Sequence, residues 1–400
     1  MAKIEINPQR LLDDLNRLRS FGAQGKGVVR PAFSDADVQS RKWLATQMSA
    51  AGLTPRIDPA GNVFGLPPGD KPSLLVGSHS DTQPEGGWLD GAYGVIVGLE
   101  VARTSLEVDG PPVAVVSFQD EEGRFGPLMG SEIWSGKLSL SDADAMRDSA
   151  GLTFGEARRK ICDLCENTWV APESFTGYLE AHIEQGIVLD ATDKTIGVVE
   201  SVVGMRTQSF LFVGEQNHAG TTPMSMRRDA FQGLACFSQA LNEAFAKIVT
   251  PDTVWTIGHV EVRPNADSII PGQVTFTVQW RDGDDARLDQ MHEVVLRLAE
   301  QTCQKLGLSM RNQGFFSYPA TQIDEALKGR IQNTAEHLAP GRWSHLPSGA
   351  LHDASNVSHC LPVAMVFVPS INGVSHSFDE DTAPEELVLG AQVLAASIAG

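Results

Sequence analysis

Leu74-Leu75-Val76-Gly77-Ser78-His79-Ser80-Asp81-Thr82, followed by Gly86-Gly87-Trp88-Leu89-Asp90-Gly91, joins an apolar run to a histidine and two aspartates across glycine-rich turns. The apolar run reads as a short buried strand. Ligand-type residues at its end can fold back onto one point, which is how a pair of metal ligands is assembled. A second buried run, Val113-Ala114-Val115-Val116-Ser117-Phe118, ends in Gln119-Asp120-Glu121-Glu122-Gly123. Adjacent carboxylates at a strand end repel each other unless a cation or a proton holds them. Together the two strand ends point to a metal-dependent hydrolase.

Outward from these runs, residues 7–21 and 34–52 have helical apolar spacing, with Ser34 as N-cap and Gly52 as the stop. Candidate strands near 62–66, 73–78 and 113–118 and a helix at 93–107 follow. Such alternation predicts an α/β sheet covered by helices, with its site at the strand ends. The texture changes near residue 205. Strands at 207–213, 253–262, 273–280 and 308–316, with long helices at 229–247 and 285–306, describe a compact α+β module. Past about residue 322 the α/β texture returns, with a helix at 323–337, a strand at 363–368 and a last helix at 384–398. The predicted fold class is therefore α/β: a catalytic domain in two segments, 1–206 and 321–400, with an α+β module, 207–320, inserted between them.

Composition narrows the function classes. Four hundred residues with 42% hydrophobic content suit a two-domain globular chain. A net charge of −19 argues against nucleic acid or an anionic membrane as partner. No run has the length of a membrane span, and Met-Ala-Lys-Ile-Glu-Ile-Asn has no apolar signal core, so a cytoplasmic location is expected. Cys162 and Cys165 form a single CxxC without the second pair of a structural zinc site, and read as two small residues on a helix. Cys236, Cys303 and Cys360 read as core residues.

Two further histidines sit in suitable places. Tyr178-Leu179-Glu180-Ala181-His182-Ile183-Glu184-Gln185-Gly186 reads as a strand end or edge, and Asn372-Gly373-Val374-Ser375-His376-Ser377 as a turn after the last strand. The candidate metal ligands are His79, Asp90, Glu122, His182 and His376. If Asp90 bridges, each of two metals receives three protein ligands and keeps open positions, as a catalytic site requires. Glu121 is then free to act as base, and Asp81 is placed to accept the other ring N–H of His79. Taken singly, each residue has a duller reading: a hydrogen-bonded histidine, a solvated acidic loop, an aspartate in a turn. Jointly those readings fail, because all five residues fall at strand ends of one α/β framework.

These residues carry a family resemblance. Ile6-Asn7 with Arg10-Leu11, Gly77 to Thr82, Asp90-Gly91, Glu121-Glu122-Gly123-Arg124-Phe125, His182-Ile183-Glu184-Gln185-Gly186 and His218-Ala219-Gly220-Thr221-Thr222-Pro223-Met224 are among its motifs. Pro264-Asn265, Ser348-Gly349-Ala350, His352-Asp353-Ala354 and Ser375-His376 continue it. The chain resembles the M20 metallopeptidase clan and, within it, the hydantoinase/carbamoylase amidases: N-carbamoyl-L-amino-acid hydrolases, β-ureidopropionases and allantoate amidohydrolases. The resemblance implies a zinc-aminopeptidase-like catalytic domain, with the inserted module serving as lid and dimerisation domain of a homodimer.

It also implies roles. One metal would take His79, Asp90 and His182, the other Asp90, Glu122 and His376, the ions being two divalent metals such as Zn, Mn, Co or Ni. Glu121 would be the general base, and His218, from the partner subunit, would stabilise the oxyanion. Arg281 would fork onto the substrate carboxylate, with Gln185, Asn265, Gly349 and Ala350 completing the substrate site. The implied substrate is a small ureido acid, hydrolysed to amino acid, ammonia and carbon dioxide. The chain departs from the family where Leu351 replaces a usual glycine, which bears on pocket shape. Two other readings stand beside this one: an M20-type amidase or peptidase acting on an N-acyl amino acid or dipeptide, and a non-catalytic metal-binding homologue.

Overall fold

The structure, a computed structural model, describes residues 4–162 and 168–399. Its principal strands are β1 (Thr54–Ile57), β2 (Val63–Leu66), β3 (Ser73–His79), β4 (Val113–Phe118), β5 (Phe175–Ile183), β6 (Ile196–Val202), β7 (Gly204–Val213), β8 (Val254–Arg263), β9 (Gln273–Asp282), β10 (Ser309–Tyr318), β11 (Trp343–Ser348) and β12 (Val363–Val368). The principal helices are α1 (Pro8–Arg19), α2 (Asp35–Ala50), α3 (Ala92–Glu107), α4 (Ala230–Phe245), α5 (Asp285–Leu306), α6 (Glu325–Leu338), α7 (Asp353–Val357) and α8 (Pro384–Ala399). Two compact units result: Met1–Ser201 with Gln322–Gly400, and Val202–Thr321.

The first unit is built on a mixed sheet ordered β6–β12–β5–β3–β4–β2–β1, with β11 alongside β6. β12, β5, β3 and β4 run parallel, while β6, β2 and β1 pair antiparallel at the flanks. Parallel strands covered on both faces must be apolar throughout, and every residue of β4 and β12 is buried. α3 is buried almost all round, and its one polar stripe, Glu100, Arg103, Thr104 and Glu107, is paired with Arg10 and Asp14 of α1. Ser34 caps α2 by accepting from the Asp37 amide, as its sequence predicts. The parallel strands place the C-terminal ends of β3, β4, β5 and β12 side by side, and the loops leaving those ends carry the candidate ligands.

The second unit is a four-stranded antiparallel sheet, β8–β9–β7–β10. β9 alternates buried and half-buried positions along its length. Its inner face, Val274, Phe276, Val278 and Trp280, packs with Phe210 and Phe212 of β7 against Phe237 of α4 and Met291 of α5.

Several expectations need correction. Of the two readings of the His182 segment, strand end or edge, the first holds, since β5 ends at Ile183, and the second does not, since β5 lies in the sheet interior with β12 on one side and β3 on the other. Cys236 is exposed and Cys360 half-buried, so only Cys303 of that trio is a core residue; Cys236 sits on the outer surface of α4, next to the buried Phe237. The Cys162-Cys165 pair falls outside the described residues, apart from the backbone of Cys162. β11 and short helices at Met129–Trp134 and Leu140–Ala145 are absent from the sequence-based layout. Segments of six residues are too short to establish a period. Among the described residues no helix is long and apolar enough to cross a membrane.

Candidate metal centre

His79 is the last residue of β3, and its position depends on Gly91, whose φ is +63°. A β-carbon at Gly91 would overlap the imidazole of His79, so only glycine lets the turn carrying Asp90 close over that ring. Asp90 then stands between three imidazoles. Its Oδ1 lies 3.1 Å from His182 Nε2 and 3.7 Å from His79 Nε2, while its Oδ2 lies 3.2 Å from His376 Nε2. On the far side, Glu122 Oε2 is 3.7 Å from His376 Nε2. Among the described residues three groups of ligand-type atoms result; two of them, His79–Asp90–His182 and Asp90–Glu122–His376, share Asp90, and the third, Glu180–His182–His352, lies behind His182. The structure thus brings all five expected ligands together.

The tautomers suit metal binding. His79 Nδ1 is 3.0 Å from the backbone carbonyl of Asp81, and His182 Nδ1 is 2.8 Å from that of Ile183. A carbonyl only accepts, so each Nδ1 carries a hydrogen and each Nε2, which faces Asp90, is the nitrogen left to ligate a metal once any proton on it is displaced. This corrects one expectation. The carboxylate of Asp81 is 3.8 Å from the His79 ring, and the backbone oxygen of the same residue orients it. The carboxylate instead accepts from the amides of Glu121 and Glu122, at 3.5 and 3.3 Å, fixing the acidic pair. Arg41, fully buried, lies 3.9 Å from it.

The electrostatics follow from crowding. Burial works against a charged His182, but its hydrogen bond to Asp90 and that residue's charge prevail and push it up to about 9. The hydrogen bond to Asp90 likewise raises His376 to about 9. Burial lowers His79 to about 4. Glu121 and Glu122 are held well above the usual carboxylate range, by burial first and by neighbouring carboxylates second. A cluster of Asp81, Asp90, Glu121 and Glu122 around three imidazoles, two of which shed a proton when they ligate, has the donor set that divalent cations take. The residues fit such ions. Glu121, with Oε2 3.6 Å from His79 Nε2, belongs to neither ligand group.

The remaining expected residues divide between the units. Gln185, at φ +56°, donates through Nε2 to Asp90 Oδ2 at 3.0 Å and reaches Ser375 Oγ at 3.3 Å. His376 too is a non-glycine residue at positive φ, +50°, so strained backbone marks both sides of this corner. Gly349 and Ala350 follow β11, where Ser348 Oγ bonds the carbonyl of Ala350; Leu351 is half-buried before α7. In the second unit His218 is exposed, and the amides of Gly220 and Thr221 donate to its Nδ1 at 2.9 and 3.2 Å. Its Nδ1 is thus an acceptor and its Nε2 a donor. Asn265 is exposed at φ +60°, and Arg281 lies half-buried on β9, 3.2 Å from Gln279 Oε1.

Sequence reasoning misses three supporting residues. Gln83 donates to Glu122 Oε2 at 2.6 Å, and its amide nitrogen lies 3.2 Å from Glu122 Oε1. His352 is buried with its ring 4.5 Å from that of His182, held by Ser348 Oγ at 2.8 Å and kept neutral by burial. Glu180 accepts from Ser78 Oγ at 2.6 Å and the Ala354 amide at 3.0 Å. His352 stands in a quoted motif without an assigned role; for the other two the signal was proximity, since Gln83 follows the His79–Thr82 motif and Glu180 precedes His182 by two residues on the same face of β5.

The profile of peptidase family M20/M25/M40 matches residues 75–400. An N-carbamoyl-L-amino-acid amidohydrolase of Rhizobium meliloti is 34% identical over 97% of this chain and 95% of its own length. An allantoate amidohydrolase of Escherichia coli is 31% identical over 97% and 96%. The crystal structure of an amidase of the hydantoinase/carbamoylase family from Burkholderia phymatum is 41% identical and superimposes with a TM-score of 0.93, over 100% of this chain and 98% of its own. This chain is accordingly a hydrolase of peptidase family M20/M25/M40, with hydantoinase/carbamoylase amidases among its relatives.

Proposed function

We propose that this chain hydrolyses the ureido C–N bond of an N-carbamoyl-L-amino acid or a related ureido acid at a centre of two divalent metal ions. The observation that carries the reading is the division of the Asp90 carboxylate, one oxygen facing His79 and His182 and the other His376. Names of relatives support the substrate class: N-carbamoyl-L-amino-acid amidohydrolase and allantoate amidohydrolase.

His79, Asp90 and His182 would hold one ion, and Asp90, Glu122 and His376 the other. When bound, the ions supply Lewis acidity, which compensates for a ureido carbon made poorly electrophilic by two nitrogens. Glu121 takes the proton of the attacking water and returns it to the leaving nitrogen as the C–N bond breaks. Burial among other carboxylates raises its proton affinity, which suits a group that must hold a proton and then release it. His218, supplied by the partner subunit, would donate Nε2–H to the developing oxyanion, its Nδ1 being engaged by two backbone amides. Arg281 engages the substrate carboxylate through its planar fork, and Gln185 and Asn265, with Gly349 and Ala350, complete the substrate contacts. The products are an amino acid, ammonia and carbon dioxide, the carbamate formed on cleavage breaking down to the latter two. The second unit would act as lid and as the dimerisation surface of a homodimer.

The test is a panel: N-carbamoyl-L-amino acids, N-carbamoyl-β-alanine, allantoate, and matched N-acetyl and N-formyl amino acids, assayed with metal-loaded protein. Turnover confined to ureido compounds supports the reading. Release of amino acid from acyl compounds alone overturns it in favour of an N-acyl amidase.

A further inference from the structure

Within the acidic tract Asp379-Glu380-Asp381, Glu380 is 2% exposed. Its Oε1 accepts from the backbone amides of Leu89 and Asp90, both at 3.1 Å. Its Oε2 accepts from Ser375 Oγ at 2.9 Å. One carboxylate thus ties the turn that presents Asp90 to the loop that presents His376, two segments almost three hundred residues apart in the chain. Space for it is made by Gly87, where a β-carbon would overlap Glu380 Oε1. Ser375 in turn meets Gln185 Nε2 at 3.3 Å, and Gln185 donates to Asp90 Oδ2, closing a ring of contacts around the corner.

We propose that Glu380 is a positioning residue that sets the spacing between Asp90 and His376 and thereby the affinity of the ion they share with Glu122. It touches neither substrate nor metal. Its carboxylate fixes the direction of the Asp90 backbone, and hence which oxygen faces which imidazole, while Ser375 holds the adjacent His376. Outer contacts of this kind govern metal affinity because a ligand held in place loses little freedom on binding. The inference rests on the two-ion reading of the site.

The experiment is a zinc titration of dialysed full-length protein by competition with a chromophoric chelator, with bound metal counted by elemental analysis. Thermal unfolding of the metal-free proteins is measured in parallel. For wild type, two equivalents are expected; one or none would overturn the two-ion reading itself. For Glu380→Ala, the weaker equivalent is expected to bind about 10–100-fold less tightly. Glu380→Gln should restore it, since the amide oxygen still accepts from Leu89 and Asp90 and the amide nitrogen can donate to Ser375 Oγ. Ser375→Ala leaves both backbone contacts intact and should weaken one equivalent only, which keeps the test decisive if Glu380→Ala folds poorly. The proposal is overturned if wild type binds two ions and either Ser375→Ala or a folded Glu380→Ala binds both with wild-type affinity. It is equally overturned if Glu380→Gln binds zinc as poorly as Glu380→Ala, or if Glu380→Ala lowers the melting temperature with no change in zinc affinity.

Discussion

Asp90 Oδ1 lies 3.1 Å from His182 Nε2, while the other oxygen of the same carboxylate lies 3.2 Å from His376 Nε2. A residue shared by two ligand groups has a larger effect on metal content than a residue in one. Asp90→Ala is expected to lose both equivalents of metal, whereas His376→Ala loses one. Elemental analysis after dialysis at fixed free zinc separates the cases. An Asp90→Ala protein that keeps one tightly bound equivalent would contradict the shared role.

Glu121 stands outside both ligand groups although Glu122, its neighbour in sequence, is inside one. Glu121→Gln should therefore keep its metal and lose turnover, with kcat lower by about 10²–10⁴-fold, the usual range for removing a general base. Metal loss on the scale of Glu122→Ala would instead mark Glu121 as a ligand.

His182 and His376 are both pushed up to about 9 in the metal-free protein. A raised histidine pKa means the ring is charged below that value, so at pH 7 metal must displace protons and at pH 9.5 fewer. Zinc binding should thus release more protons at pH 7 than at pH 9.5, and affinity should fall as pH falls through 9. Calorimetry in two buffers of different ionisation enthalpy counts the protons. Equal counts at the two pH values would contradict the coupling.

Arg41 is fully buried, paired with Asp37 at 2.8 Å and donating to the carbonyl of Phe118 at 2.8 Å, beneath the carboxylate of Asp81. Arg41→Met leaves Asp37 a buried charge without its partner. Removing one member of a buried pair costs about 3–5 kcal/mol. Urea unfolding should show the loss as a lower midpoint, and an unchanged midpoint would show that the pair is dispensable.

The candidate ligands are legible in the sequence because apolar runs announce the strands they belong to or follow. Val113 to Phe118 and Val363 to Val368 are recognisable at their observed limits, and Glu122 and His376 lie a few residues beyond them. His182 is harder, since a central strand and an edge strand differ in their neighbours rather than in their composition. Gln83 and Glu380 are not legible at all. Each is a common polar residue in a loop, and its role comes from meeting Glu122 or Asp90 across the fold. The orientation of His79 is a subtler case. Spacing points to Asp81, but the backbone oxygen rather than the carboxylate takes the ring N–H, a choice that local chain direction makes. His218, Asn265 and Arg281 carry no chemistry-bearing pattern of their own and enter through family resemblance alone.

The most direct test of the proposed two-ion ureido amidohydrolase activity is the joint release of ammonia and amino acid from an N-carbamoyl-L-amino acid, before and after metal stripping and reloading. The account predicts equal amounts of both products from the loaded protein, none from the stripped protein or from loaded Glu121→Gln, and recovery on reloading. Undiminished turnover in the stripped protein, or in Glu121→Gln, would contradict it.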